Sequence, residues 1–255
     1  MKPRVFCLAL IVLGGALFLL SQEQKTTSLI AQGDELYAQR GDLAKAKEAL
    51  AKYREALAQG EDKYEAYWRM ARVAYWIGDR TTDNNEKKTI FAQGIEDAKK
   101  AVELAPAKAD GHFWLGVNYG SYGEAKGVLK SLSLVGPIKT EMGRVLRIDA
   151  SYENGGANRV LGRVYYKLPG FAGGSNKKSL LNLLKSKELG PKDGLTRIYL
   201  AETYLALHDV QKAREELEFV LNMEADPNDA GQVAELPGQK EQARKLLEKK
   251  DFKKK

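Results

Sequence analysis

Apolar residues recur along this chain at helical spacing, and they recur in the same order several times. In the stretch 197–204, Leu200, Ala201 and Tyr204 fall on one face of a helix. After a turn at His208-Asp209, the residues Ala213, Leu217 and Val220 follow at helical spacing on a second helix, which ends by Asp226-Pro227. The stretches 158–165 and 112–119 repeat the order, with Leu161, Gly162 and Tyr165, then Leu115, Gly116 and Tyr119. A large residue, a small one and an aromatic describe a helical hairpin: the small residue lets two helices approach and the aromatic fills the space beside it. Self-similarity of this kind indicates a solenoid. The predicted fold is all-α, a solenoid of about five helical hairpins over residues 26–250 with a C-terminal capping helix.

The copies are not uniform. The first is loose, with Gly33, Leu36 and Tyr37, then Ala49, Tyr53 and Ala56. The second has Tyr67, Met70, Ala71 and Ala74 before a turn at Gly78-Asp79, and Gly94, Ala98 and Ala101 before Pro106. A polar loop is expected between its helices, from Arg80 to Glu86. In the third, Gly136-Pro137 is expected to split the second half into two helices. In the fourth, the run Leu168 to Ser175 separates the helices. A last helix near Gln239–Lys250 reads as a cap with a charged outer face.

The 197–220 pattern resembles the tetratricopeptide repeat, with Ala201 and Ala213 at that family's close contacts. Insertions between the two helices of a repeat narrow the resemblance. From about Asp34 to Asn222, and above all in Ala157–Gly170 followed by Gly173-Gly174, the chain resembles the periplasmic T component associated with TRAP transporters. That resemblance implies an accessory protein working beside the transporter's solute-binding receptor. It also implies a homotrimer, and a groove holding a hydrophobic or organic-acid ligand.

Composition is that of a globular chain: 44% hydrophobic, 29% charged and a formal net charge of +7. Acids and bases interleave, and the dense basic cluster is the tail around residues 251–255. No nucleic-acid partner is expected from this balance. Lys2 and Arg4 precede an uncharged run from Val5 to Leu20, the form of a signal peptide or an N-terminal membrane anchor over residues 1–21. The expected location is therefore the periplasm, with a membrane contact if the segment is uncleaved. Cys7, the single cysteine, lies inside this segment, so the exported part carries no disulfide and no thiolate metal site.

No nucleophile–base or metal-ligand grouping is visible in the sequence, and neither an enzyme nor a cofactor nor a metal is expected. His112 occupies a packing position and His208 a helix-ending turn, where a positive charge suits the dipole. Gly173-Gly174-Ser175 reads as a turn with Ser175 as helix N-cap rather than a phosphate loop. The candidate site is the inner wall of the solenoid. Counting from the packing positions places Trp68, Arg72, Tyr75 and Trp76 there, with Phe113 and Val117, then Arg159, Arg163, Tyr166 and Lys167. Aromatic faces with guanidinium forks suit an amphipathic ligand or a peptide bearing a carboxylate. The expected function is that of a non-enzymatic binding protein of the cell envelope. The alternative is a general scaffold whose groove takes a segment of a partner protein.

Overall fold

The computed structural model describes residues 27–252. The export-like segment 1–21 and Lys253, Lys254 and Lys255 of the basic tail lie outside the described residues. The described chain is helical throughout: α1 Leu29–Ala38, α2 Leu43–Ala58, α3 Lys63–Arg80, α4 Asn84–Leu104, α5 Ala109–Lys126, α6 Val135–Ile148, α7 Tyr152–Lys167, α8 Asn176–Leu189, α9 Gly194–Ala206, α10 Val210–Asn222 and α11 Ala230–Leu247. Consecutive pairs from α1/α2 to α9/α10 make five hairpins among the described residues, and α11 follows them. The all-α solenoid expected from the repeats is the observed fold.

Most helix starts are set by a side chain that can accept a hydrogen bond from the first turn. Asp42, Asp62, Asp83, Asp193, Asp209 and Asp229 do this for α2, α3, α4, α9, α10 and α11. Ser175 does it for α8, as its sequence position predicts. Within the hairpins the small residue sets the approach of the partner helix. A Cβ added at Gly33 would lie 2.4 Å from the Tyr53 ring, and one at Gly162 would lie 2.6 Å from Leu183. Ala71 and Ala201 hold the equivalent place in their repeats and are fully buried. Around Ala201 pack Leu183, Leu200, Ala213 and Leu217. Ala201→Leu is expected to overpack this contact and lower stability by about 1–3 kcal/mol, measured by urea unfolding. An unchanged midpoint would mean that the contact has room to spare.

Four details differ from the sequence expectation. The run from Arg80 to Glu86 is mostly helical: α3 reaches Arg80, α4 starts at Asn84, and only the residues between them are extended. Asp83 makes this possible, since it caps α4 through the N–H groups of Asn85 and Glu86. Gly136-Pro137 does not divide two helices either. Pro137 lies in the first turn of α6, where a missing N–H costs nothing, and the irregular part is a 3-10 segment, Val128–Leu134. The cap begins earlier than Gln239, at Ala230. The tail is partly docked, with Lys250–Phe252 forming a 3-10 turn and Phe252 buried against the last hairpin.

The two ends of the solenoid meet. Arg40, in the first hairpin, bonds Glu235 on α11 at 2.9 Å across 195 residues of sequence. Ala234 packs on the cluster formed by Tyr37, Ala46 and Trp76. Thus α11 caps the last hairpin, with Glu241, Arg244 and Lys245 exposed on its outer face, and also straps the concave side. None of the described helices is long and apolar enough to cross a membrane.

Candidate functional site

The first helices of the later hairpins, α3, α5, α7 and α9, line a common hollow on the concave side, and α11 covers part of it. The resulting cavity is about 520 Å³. Its apolar wall includes Tyr75, Trp76, Phe113, Trp114, Val117, Val160, Val164 and Tyr199. The α5–α6 insertion adds Leu134, Val135 and Ile138, and α11 adds Glu235, Gln239 and Gln242. Beside it lies a second hollow of about 380 Å³, walled by Asp34, Tyr37, Arg40, Arg69, Arg72 and residues of α11. Glu153, Trp114 and Glu235 border both.

Seven of the ten residues counted onto the inner wall do line the main cavity: Tyr75, Trp76, Phe113, Val117, Arg159, Arg163 and Lys167. Arg72 lines the second hollow. Trp68 and Tyr166 line neither. Trp68 donates its indole N–H to Glu65 and stacks with Arg69 and Arg72, and Tyr166 lies half-buried beside Arg163. The concave stripe is therefore wider than the counted one. The added width brings in Trp114, Val160 and Tyr199, which hold one and the same repeat position. Aligning the repeats on Gly116, Gly162 and Ala201 would have found them together. The contribution of α11 had no such signal.

The cations of the wall already have carboxylate partners. Arg159 bonds Asp193 at 2.8 Å, and Arg163 bonds Glu202 at 2.5 Å while its guanidinium lies over the Tyr199 ring. Arg72 and Arg69 both reach Asp34, which also accepts the Tyr53 hydroxyl. Burial works against the charge on Arg159 and Arg163, but the facing acids outweigh it and hold both more strongly protonated than usual. For Asp34, burial would raise the carboxyl, and the hydrogen bonds from Arg69 and Tyr53 turn the balance downward. Burial pushes the Tyr199 hydroxyl up to about 12. The wall is thus an apolar surface stiffened by internal ion pairs, not a row of free guanidinium forks.

Glu153 is the exception. It opens α7 in a left-handed turn, with φ values of 51°, 58° and 75° at Glu153, Asn154 and Gly155. Such a turn is strained for a glutamate. It is stabilised where the Glu153 carbonyl accepts a bond from Arg159 at 3.2 Å. Glu153 borders both hollows, near the start of α7.

The remaining candidates are structural. His112 is buried, with Nδ1 2.6 Å from Glu141 and Nε2 2.9 Å from the Pro106 carbonyl, so it ties α5 to α6 and to the preceding turn. His208 is an exposed turn residue with a left-handed backbone. At Gly174 any Cβ would overlap the Leu168 carbonyl, which makes Gly173-Gly174-Ser175 a backbone requirement of the loop. No group of three or more His, Cys, Asp or Glu side chains among the described residues is placed to hold a metal ion.

Comparison with known proteins follows the fold. The family model for regulator of microtubule dynamics protein 1-3 matches residues 29–251. The chain belongs to this family. It is 25% identical to regulator of microtubule dynamics protein 3 of Bos taurus over 174 residues, 61% of this chain and 36% of that protein. It is equally identical to the Rattus norvegicus protein over 165 residues, 58% of this chain and 34% of that one. The match therefore spans about a third of these relatives. Among solved structures, a thermophilic TPR protein from Thermus thermophilus superposes with a TM-score of 0.62 at 20% identity, covering 86% of this chain and 98% of that one. The tetratricopeptide-like fold stands on this likeness.

Proposed function

We propose that this protein is a non-enzymatic binding scaffold whose concave cavity receives an extended, largely apolar segment of a partner protein. The observation that supports this most is the cavity itself. It is built from equivalent positions of successive repeats, walled by aromatics and valines, and covered by α11. The internal pairing of Arg159 and Arg163 favours an apolar occupant over one held by its carboxylate. The relatives are named as regulators, which accords with an interaction role.

The test is native mass spectrometry of the full chain purified in mild detergent. Wild type is expected to retain a partner, and Val164→Trp, which fills the cavity, is expected to lose it by at least about tenfold with unchanged helicity. Equal retention by the two proteins defeats the reading.

A second, finer reading is a periplasmic T component that serves the solute-binding receptor of a TRAP transporter. The block Ala157–Gly170 with Gly173-Gly174, and the basic flank and apolar run of residues 1–21, favour it. A reporter active only outside the cytoplasm, fused after Lys255, is expected to work under this reading. Activity of a cytoplasmic reporter alone would remove it.

A further inference from the structure

The turns that join the two helices of each hairpin stand along one edge of the solenoid. Asn84, at the start of α4, bonds the carbonyl of Ala125 at the end of α5, and Asn176, at the start of α8, bonds that of Ala206 at the end of α9. Lys139 of α6 and Lys178 of α8 both approach the Tyr165 ring of α7, at 4.7 and 5.7 Å. Leu134 and Leu168, from the two long insertions, border the same cavity. The insertions are therefore neighbours at the cavity mouth.

This edge carries the three most exposed large hydrophobic residues among the described ones. Leu129 in the first insertion is 68% exposed, Phe171 in the second is 81% exposed, and Leu181, one turn into α8, is 68% exposed. The flanking charges are Lys126, Lys167, Lys177 and Lys178, and the acid among them is Glu124. Some surface lysines elsewhere are paired on their own helix, as in Lys45–Glu48, Lys52–Glu55 and Lys185–Glu188. Lys126, Lys177 and Lys178 have no ion pair among the described residues. Exposed large apolar residues set among unpaired cations suit a surface that is apolar below and anionic above.

We infer that the two insertions form a membrane-docking edge, in which Leu129, Phe171 and Leu181 enter the headgroup region of an anionic bilayer while Lys126, Lys177 and Lys178 meet its lipid phosphates and carboxylates. Docking in this pose turns the cavity mouth toward the bilayer.

The experiment places a polarity-sensitive fluorophore on one thiol of the full chain. Cys7 is the single natural cysteine. In a Cys7→Ser background, Phe171→Cys carries the label at this edge and Lys192→Cys carries it at the opposite one, between α8 and α9. The probes are phosphatidylcholine vesicles alone and vesicles with about 30% phosphatidylserine. The label at 171 is expected to brighten at least about twofold with the anionic vesicles and to lose most of that gain at high salt. The label at 192 is expected to change little. Lys126→Glu/Lys177→Glu/Lys178→Glu should weaken the response at 171 by roughly a hundredfold in lipid concentration. The N-terminal segment is common to every variant, so it cannot produce the loss expected on charge reversal. Equal responses at 171 and 192, or no loss on charge reversal, overturns the proposal. Absence of any response to anionic vesicles also overturns it and leaves the patch to a protein partner.

Discussion

Glu216→Ala is expected to cost about 3–5 kcal/mol of folding stability. Glu216 of α10 accepts from Arg197 of α9 at 2.8 Å and from Lys187 of α8 at 2.6 Å. Both Glu216 and Arg197 are nearly sealed from water, with side-chain exposures of 7% and 10%. Removing the acid leaves a guanidinium with the Pro191 carbonyl and the Phe219 face as its remaining partners. An uncompensated buried charge is far more costly than a missing pair, so replacing both partners is a different experiment. Arg197→Leu with Glu216→Leu is expected to recover most of the loss. Urea unfolding of the singles and the double decides it, and a double variant as weak as Glu216→Ala would show that the charges themselves are needed.

Trp76→Ala is expected to remove about 3–5 kcal/mol by emptying a large buried site. Its indole N–H donates to the Arg40 carbonyl at 2.8 Å, and the Arg40 and Arg80 guanidinium groups both lie over its ring. It also lines the cavity beneath α11. The substitution therefore acts on the place where the first hairpin and the last helix are joined. Trp76→Phe keeps most of the apolar body and loses the hydrogen bond, which should cost only about 0.5–1.5 kcal/mol beyond the smaller ring. Thermal unfolding checks both, and equal losses in the two variants would mean that the hydrogen bond, not the packing, carries the site.

The fold was legible because its rules are local. The order of large, small and aromatic residues in α5, α7 and α9, and the aspartates before most helices, are all short-range signals. The α3–α4 connection misled because a polar run such as Asn84-Asn85-Glu86 is as compatible with the first turn of a capped helix as with a loop. The candidate site was legible in its repeat positions and not in its ion pairs. Arg159 finds Asp193 and Arg163 finds Glu202 only after two hairpins have stacked. The role of α11 was hidden for another reason. Its buried residues, Leu236, Ala243 and Leu246, are interspersed with Pro237, Gly238 and glutamines, so no clean period marks a face.

The Arg40–Glu235 contact changes what kind of object the solenoid is. In an open array each repeat answers to its two neighbours and the terminal ones fray independently. Here the first hairpin has α11 as an extra neighbour, so the series is bent into a circuit. Loss of the Arg40–Glu235 contact would return α11 and the first hairpin to the independent ends of an open array.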